Sequence, residues 1–376
     1  MSRPTLLYYS EDAGDVYGFW QWLDRGTGEP RGFRIAREAI APLAGELRAA
    51  LPTLLPGETP PVATERMLST GMLTAPDRER RFSQRLSAAL LPEALVAEIL
   101  DAAASGTPLL RMLPAASCAA FPWELLLLDA GGTTRRLIDL VDIVADPPAG
   151  VHSGRSRAPR PYVEAARAVH LIDPAPAAGG LGRILTREQR EALLAANPGT
   201  WSGDPSGVVT RAELSQRLRG EGPPSRILYV GHVVSPESHA GATSLMLGDP
   251  ETMYGVLPVV DETRPFSALD LLEGTMFAEQ RLHDAPLSFP DPVIWPSGRR
   301  EALPGHEIWP MPPRVALIAC DSGADLGRSE PFGLAIACIN AGAEIVTATR
   351  WTLPTNRVFR PAPALRPGID PQPLFD

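Results

Sequence analysis

Val315–Cys320 is a run of apolar and small residues bounded by Pro312 and Pro313 on one side and by Asp321, Ser322 and Gly323 on the other. A run this short, closed by turn residues at both ends, fits a buried strand better than a helix, which usually needs ten or more residues. Strands buried on both faces belong to parallel α/β sheets, and such sheets open their ligand crevice beyond the carboxyl ends of the strands. Cys320, at the end of this run, is therefore expected at the mouth of a crevice.

The surrounding chain has the alternation that a parallel sheet requires. Strands are expected at Ala168–Ile172, which ends in Asp173-Pro174, at Arg226–Val230, which ends in Gly231-His232, and at Glu344–Thr349, with a short one over 243–248. Helices are expected over Arg187–Ala196 capped by Thr186, Arg211–Arg219 capped by Thr210, Ala268–Gly274, and Pro331–Asn340 with Ala341-Gly342 at its end. Pro286–Pro313 reads as a long proline-rich loop.

In the first half, 5–9 and 16–23 read as strands, 33–51 as a helix, Pro52–Pro61 as a loop, and 77–91 and 92–103 as two more helices. Strand-like runs follow at 108–113 and around Leu137–Val144, with a turn at Asp129–Thr134. Asp146–Pro161, rich in Pro, Gly, Ser and Arg, reads as a linker. The domains expected are an N-terminal α/β part over 1–150, a second α/β domain over 160–351, and a proline-rich tail over 352–376.

Composition removes several function classes. The net charge of −9 argues against a nucleic-acid groove. All 35 basic residues are arginine, so a lysine Schiff base, a Ser–Lys dyad and a Walker A loop are excluded. No apolar run approaches the ~20 residues of a membrane span, and the N-terminus has no signal-peptide core, so the expectation is a cytoplasmic protein. Cys118, Cys320 and Cys338 are odd in number and widely spaced, which is neither a disulfide framework nor a zinc pattern.

Two expected strands each end in a reactive side chain, His232 and Cys320. If those strands are neighbours, imidazole and thiol emerge at one edge as base and nucleophile: the imidazole takes the thiol proton and later protonates the leaving group. Gly231 would let the backbone approach a substrate, and Asp321-Ser322-Gly323 gives a polar strand-end loop. The competing reading is that a thiol on an apolar strand is core filler.

Ile227–His232 (ILYVGH), Ser244–Asp249 (SLMLGD), Ala268–Leu272 (ALDLL), Val315–Gly323 (VALIACDSG) and Ala341–Trp351 (AGAEIVTATRW) resemble, in order and spacing, the segments of the CHAT domain, a caspase-like cysteine peptidase family related to separase. Phe121–Leu126 (FPWELL) is similar to that family's Pro-aromatic-Glu-Leu-Leu segment. The resemblance implies a caspase-hemoglobinase-like, mainly parallel sheet flanked by helices, with a degenerate pseudo-caspase N-terminal half. It implies His232 as general base, Cys320 as nucleophile, and an oxyanion hole of backbone N–H groups at the two strand ends, around Gly231 and Val233 and around Cys320 and Asp321. Val233 stands where many relatives carry glycine. The resemblance implies a protein or peptide substrate, a co-encoded effector being one candidate, and requires no cofactor or metal. The alternatives are a pseudopeptidase serving as a protein-interaction module, and a thiol hydrolase or acyltransferase acting on small molecules.

Asp173 and Ser322 are candidates for lining a substrate pocket, and Asp173 for orienting His232; the favoured reading of Asp173, however, is a strand-end cap before Pro174. Gly179-Gly180-Leu181-Gly182 lacks the phosphate-loop pattern, and His232 with His239 makes no metal set. Glu124 and Cys338 read as structural.

Overall fold

The computed structural model describes residues 3–24, 29–164, 166–174, 184–196, 201, 207–234, 241–251, 253, 255, 257–260, 262–274, 303–319 and 333–351. It is a mixed α/β protein whose described residues divide into two compact units between Pro148 and Ala149.

The N-terminal unit is built on a five-stranded mixed sheet. Strands β1 (Thr5–Ala13), β2 (Asp15–Trp22) and β3 (Arg31–Ile35) form an antiparallel meander, and β4 (Leu109–Leu113) and β7 (Asp142–Ala145) run parallel to β1 on its other side. A hairpin, β5 (Leu127–Ala130) and β6 (Thr133–Arg136), turns at Gly131-Gly132, both at positive φ. Helices α1 (Arg37–Ala50), α2 (Pro60–Ser69), α3 (Pro76–Leu90) and α4 (Glu93–Ser105) lie between β3 and β4, and the one-turn α5 (Ala116–Ala119) follows β4.

Two differences from the sequence reading stand out. The helix expected from residue 33 starts only at Arg37, because Phe33 belongs to a strand. Its ring fills the space over Gly18, its register partner, and stacks on Tyr8 with centroids 5.1 Å apart. The loop expected through Pro61 becomes a helix at Pro60, since proline is tolerated where the first helical N–H groups have no partner. In the FPWELL segment Phe121, Trp123 and Leu126 are buried, and Trp123 packs edge-on to Tyr8. That segment is core of the N-terminal unit itself.

The second unit starts with a short helix, α6 (Ala149–Ser153), inside the stretch expected to be a linker. Its centre is a parallel sheet of β8 (Ala168–Ile172), β9 (Arg226–Val230), β13 (Arg314–Ile318) and β14 (Ile345–Ala348), in the spatial order β14-β13-β9-β8. Trp201 adds one parallel bridge on the free side of β8 through His170 N–H to Trp201 O (2.9 Å) and Trp201 N–H to Ala168 O (3.2 Å).

The helices follow from that order. The chain leaves β8, passes α7 (Arg187–Ala195), and reaches the outer side of β8 at Trp201. It then returns across the sheet through α8 (Arg211–Arg219) to β9. Right-handed crossovers in opposite directions place α7 and α8 on opposite faces. Leu193 and Leu194 of α7 pack with Ile172 and Val230, whereas Leu214 and Leu218 of α8 pack with Val169, Leu171, Ile227 and Tyr229. Three short strands, β10 (Val233–Val234), β11 (Ser244–Leu245) and β12 (Phe266–Ser267), form a small antiparallel sheet after β9. Helices α9 (Ala268–Glu273), α10 (Gly305–Ile308) and α11 (Leu334–Asn340) put Leu271, Ile308 and Leu334 into the core shared with α8. The caps expected at Thr186 and Thr210 are capping boxes with Gln189 and Glu213, and Gly342 ends α11 at φ 113°.

Candidate active site

The order Trp201-β8-β9-β13-β14 contains one reversal, between β8 and β9. Open α/β sheets bind ligands at such a reversal, outside the carboxyl ends of the strands. At this edge β8 runs into Asp173-Pro174 and β9 into Gly231-His232.

β9 and β13 are immediate neighbours, paired from Arg226↔Arg314 to Val230↔Ile318. Gly231 N–H still donates to Ile318 O (3.4 Å), so the two strands stay together to the edge. The last described residue of this stretch is Ala319, whose carbonyl accepts from the Thr349 hydroxyl. Cys320, Asp321 and Ser322 lie outside the described residues, as do His239, residues 179–182 and the tail from 352.

His232 is partly exposed and its backbone is fixed from beneath. Tyr229, fully buried in β9, donates its hydroxyl proton to His232 O at 2.6 Å and accepts from Met246 N–H at 3.2 Å. Burial pushes the phenol up from its ordinary value, so the hydroxyl stays a donor. Gly231 owes its identity to this ring: a Cβ there would fall 2.5 Å from the Tyr229 hydroxyl oxygen and 2.6 Å from Cζ. The glycine thus makes room for the protein's own tyrosine, a reason that the sequence reading, with substrate approach in mind, did not find.

After His232 the chain pairs with β11. Met246 N–H donates to His232 O (3.0 Å), which makes Val233↔Leu245 a non-hydrogen-bonded pair whose N–H and C=O groups turn away from the partner strand. The N–H of Val233 is therefore unused by the ladder.

Asp173 ends β8 at φ 52°, a left-handed conformation that Asp adopts more readily than most residues. It is buried, and its carboxylate accepts from the backbone N–H groups of Ile184 (2.9 Å) and Leu185 (3.4 Å). These bonds tie the carboxylate to the chain ahead of α7, as a strand-end cap would.

The interior of this unit contains a charged residue that sequence reasoning missed. Arg211, 2% exposed, meets Asp249 (3.2 Å) and Asp270 (3.5 Å), both buried. Asp249 also accepts from Arg211 N–H at the start of α8, and Asp270 closes a capping box with Ser267. The SLMLGD and ALDLL segments are thereby fastened to α8 by one guanidinium. Burial outweighs this arginine and raises the Asp249 carboxyl above its ordinary value. An aspartate inside each of two apolar segments was the available signal, because buried carboxylates need a cation.

The other thiols are inert by environment. Cys118 and Cys338 are buried, and burial pushes them up to about 11 and about 12. Among the described residues no three His, Cys, Asp or Glu side chains are grouped to hold a metal ion, and no helix is long and apolar enough to cross a membrane. No protein-family model matches the chain, and no curated protein matches it.

Proposed function

We propose that the chain is a caspase-like cysteine endopeptidase of the CHAT type, acting through His232 and Cys320. The observation that carries this reading is the pairing of β9 and β13: adjacent parallel strands that end together beside the sheet's one reversal, the first continuing into His232 and the second, through Ala319, into the Cys320 of the sequence.

His232 takes the thiol proton, and the thiolate attacks the scissile carbonyl carbon. The carbonyl π pair moves onto oxygen, and backbone N–H groups stabilise the resulting oxyanion. The unused N–H of Val233 supports a role as one donor despite the side chain; the resemblance implies Cys320 N–H as the other. Collapse breaks the C–N bond while the imidazolium protonates the departing amine. Water, deprotonated by His232, then hydrolyses the thioester.

The test is labelling of the native chain with an electrophilic peptide probe, followed by cleavage of a diverse peptide library. The expected result is one labelled residue, Cys320, with labelling abolished in Cys320→Ala and strongly reduced in His232→Ala. The burial of Cys118 and Cys338 makes the readout selective. No selective labelling of folded protein would refute the enzyme and favour an interaction module. Labelling without cleavage of any peptide would shift the reading to a small-molecule acyl hydrolase.

A further inference from the structure

The two strands that end at the candidate site begin, at the other end of the sheet, with a pair of arginines. Arg226 and Arg314 are register partners, so their Cα atoms sit about 4.8 Å apart. Both are exposed, and among the described residues neither has a carboxylate partner. Arg314 lies over the ring of Tyr162, 3.6 Å from its centroid.

Residues paired across parallel strands share a face, as do residues two apart along a strand. The next row on this face is His170, Leu228, Ala316 and Thr347. The row beyond, Ile172, Val230 and Ile318, is covered by α7. Between the arginines and that covered row lies a groove of about 510 Å³, open to solvent and within the size range of small-ligand sites.

His170 supplies the second, independent observation. It lines the groove and is only 5% exposed, yet its Nδ1 is buried without a hydrogen-bond partner. Buried polar nitrogens are seldom left so. Burial, and after it the charge of Arg226, lowers the imidazole below its ordinary value, so the ring is neutral at pH 7.

We propose that this groove binds a small phosphate monoester, its phosphoryl oxygens held by Arg226 and Arg314 and met by the imidazole of His170 in the groove wall, with the organic body resting on Leu228 and Ala316. A carboxylate is satisfied by one guanidinium in a bidentate pair. Two guanidiniums side by side with a third donor match the three oxygens and nearly double charge of a phosphate monoester. The rows are about 7 Å apart, a gap that arginine side chains span. The site lies six residues, about 20 Å of strand, from His232 and is independent of the peptidase reading.

Phenyl phosphate is the probe, titrated calorimetrically into the full chain at low ionic strength, with inorganic phosphate and benzoate as comparisons. One saturable site per chain is expected. Arg226→Gln and Arg314→Gln should each weaken it about tenfold or more, and His170→Phe should weaken it while the protein still melts cooperatively. Inorganic phosphate should bind more weakly for want of the apolar floor, and benzoate more weakly for want of the third oxygen. Absence of saturable binding to folded wild type, or undiminished binding to the melting-competent Arg226→Gln/Arg314→Gln variant, would overturn the proposal. Benzoate binding as tightly as phenyl phosphate would overturn the assignment to phosphate.

Discussion

Replacing Gly231 by alanine tests the link between the core and the candidate site. The added Cβ would meet the Tyr229 hydroxyl oxygen at 2.5 Å, Cζ at 2.6 Å and Cε1 at 3.0 Å. Tyr229 has no exposed surface, so its ring cannot swing out into solvent without moving its neighbours. Overpacking of this kind costs about 1–3 kcal/mol. Displacing the hydroxyl also breaks its 2.6 Å bond to His232 O, worth roughly 1 kcal/mol more. The sum is a destabilisation of about 2–4 kcal/mol, read from the denaturant midpoint of the second unit. A double-mutant cycle isolates the cause. Tyr229→Leu removes all three clashing atoms, so in that background Gly231→Ala should cost less than about 1 kcal/mol. If the alanine costs as much beside leucine as beside tyrosine, the ring is not what excludes a side chain. If it leaves stability intact but abolishes Cys320 labelling, the glycine serves substrate approach alone.

Arg211→Ala leaves two buried carboxylates without their cation and should destabilise the second unit by about 3–5 kcal/mol; a change under about 1 kcal/mol in chemical denaturation would show that Asp249 and Asp270 are held by their caps. In the N-terminal unit, Arg66 and the Leu55 N–H bring the Glu58 carboxyl down to about 2. The folded value lies below the unfolded one, near 4.3, so its contribution is present above that pH and lost as pH falls toward about 2. Glu58→Gln should flatten the acid limb of the stability profile in that window, and an unchanged limb would contradict the assignment. Native-state alkylation at pH 8 should spare Cys118 and Cys338 until denaturant is added; mass spectrometry of the labelled peptides decides it.

What the sequence made legible was local. Thr186 and Thr210 cap their helices through residues three positions on, and β8, β9, β13 and β14 are short apolar runs closed by turn residues. What stayed hidden depends on partners distant in the chain. Phe33 reads as the start of a helix until Gly18, fifteen residues upstream, offers its ring a place. Arg211 reads as an ordinary charge in the first turn of a helix; only the folded chain brings Asp249 and Asp270, 38 and 59 residues away, to either side of it. Tyr229 reads as one more strand aromatic, and its clamp on His232 needs the hairpin at Met246. Of the candidate site, the strand ends of His232 and the neighbouring β13 were legible, because a parallel sheet leaves few other arrangements.

The acidic residues of the second unit sharpen where chemistry can reside. A His–Cys reading invites a search for a carboxylate to orient the imidazole, and Asp173, Asp249 and Asp270 are the buried aspartates of this unit among the described residues. Asp249 and Asp270 are bound to Arg211 and to helix N-termini, and Asp173 to the amides of Ile184 and Leu185. Each has a structural partner of its own. The backbone of His232 is held by other groups: the Tyr229 hydroxyl and the Met246 N–H both converge on its carbonyl oxygen. On this reasoning Asp173→Asn, which preserves an oxygen acceptor for the two amides, should change Cys320 labelling by less than about threefold, whereas Tyr229→Phe, which removes the clamp and leaves the ring, should slow it by about tenfold or more. The reverse ranking would show that the imidazole is oriented by the carboxylate and that the clamp is merely structural.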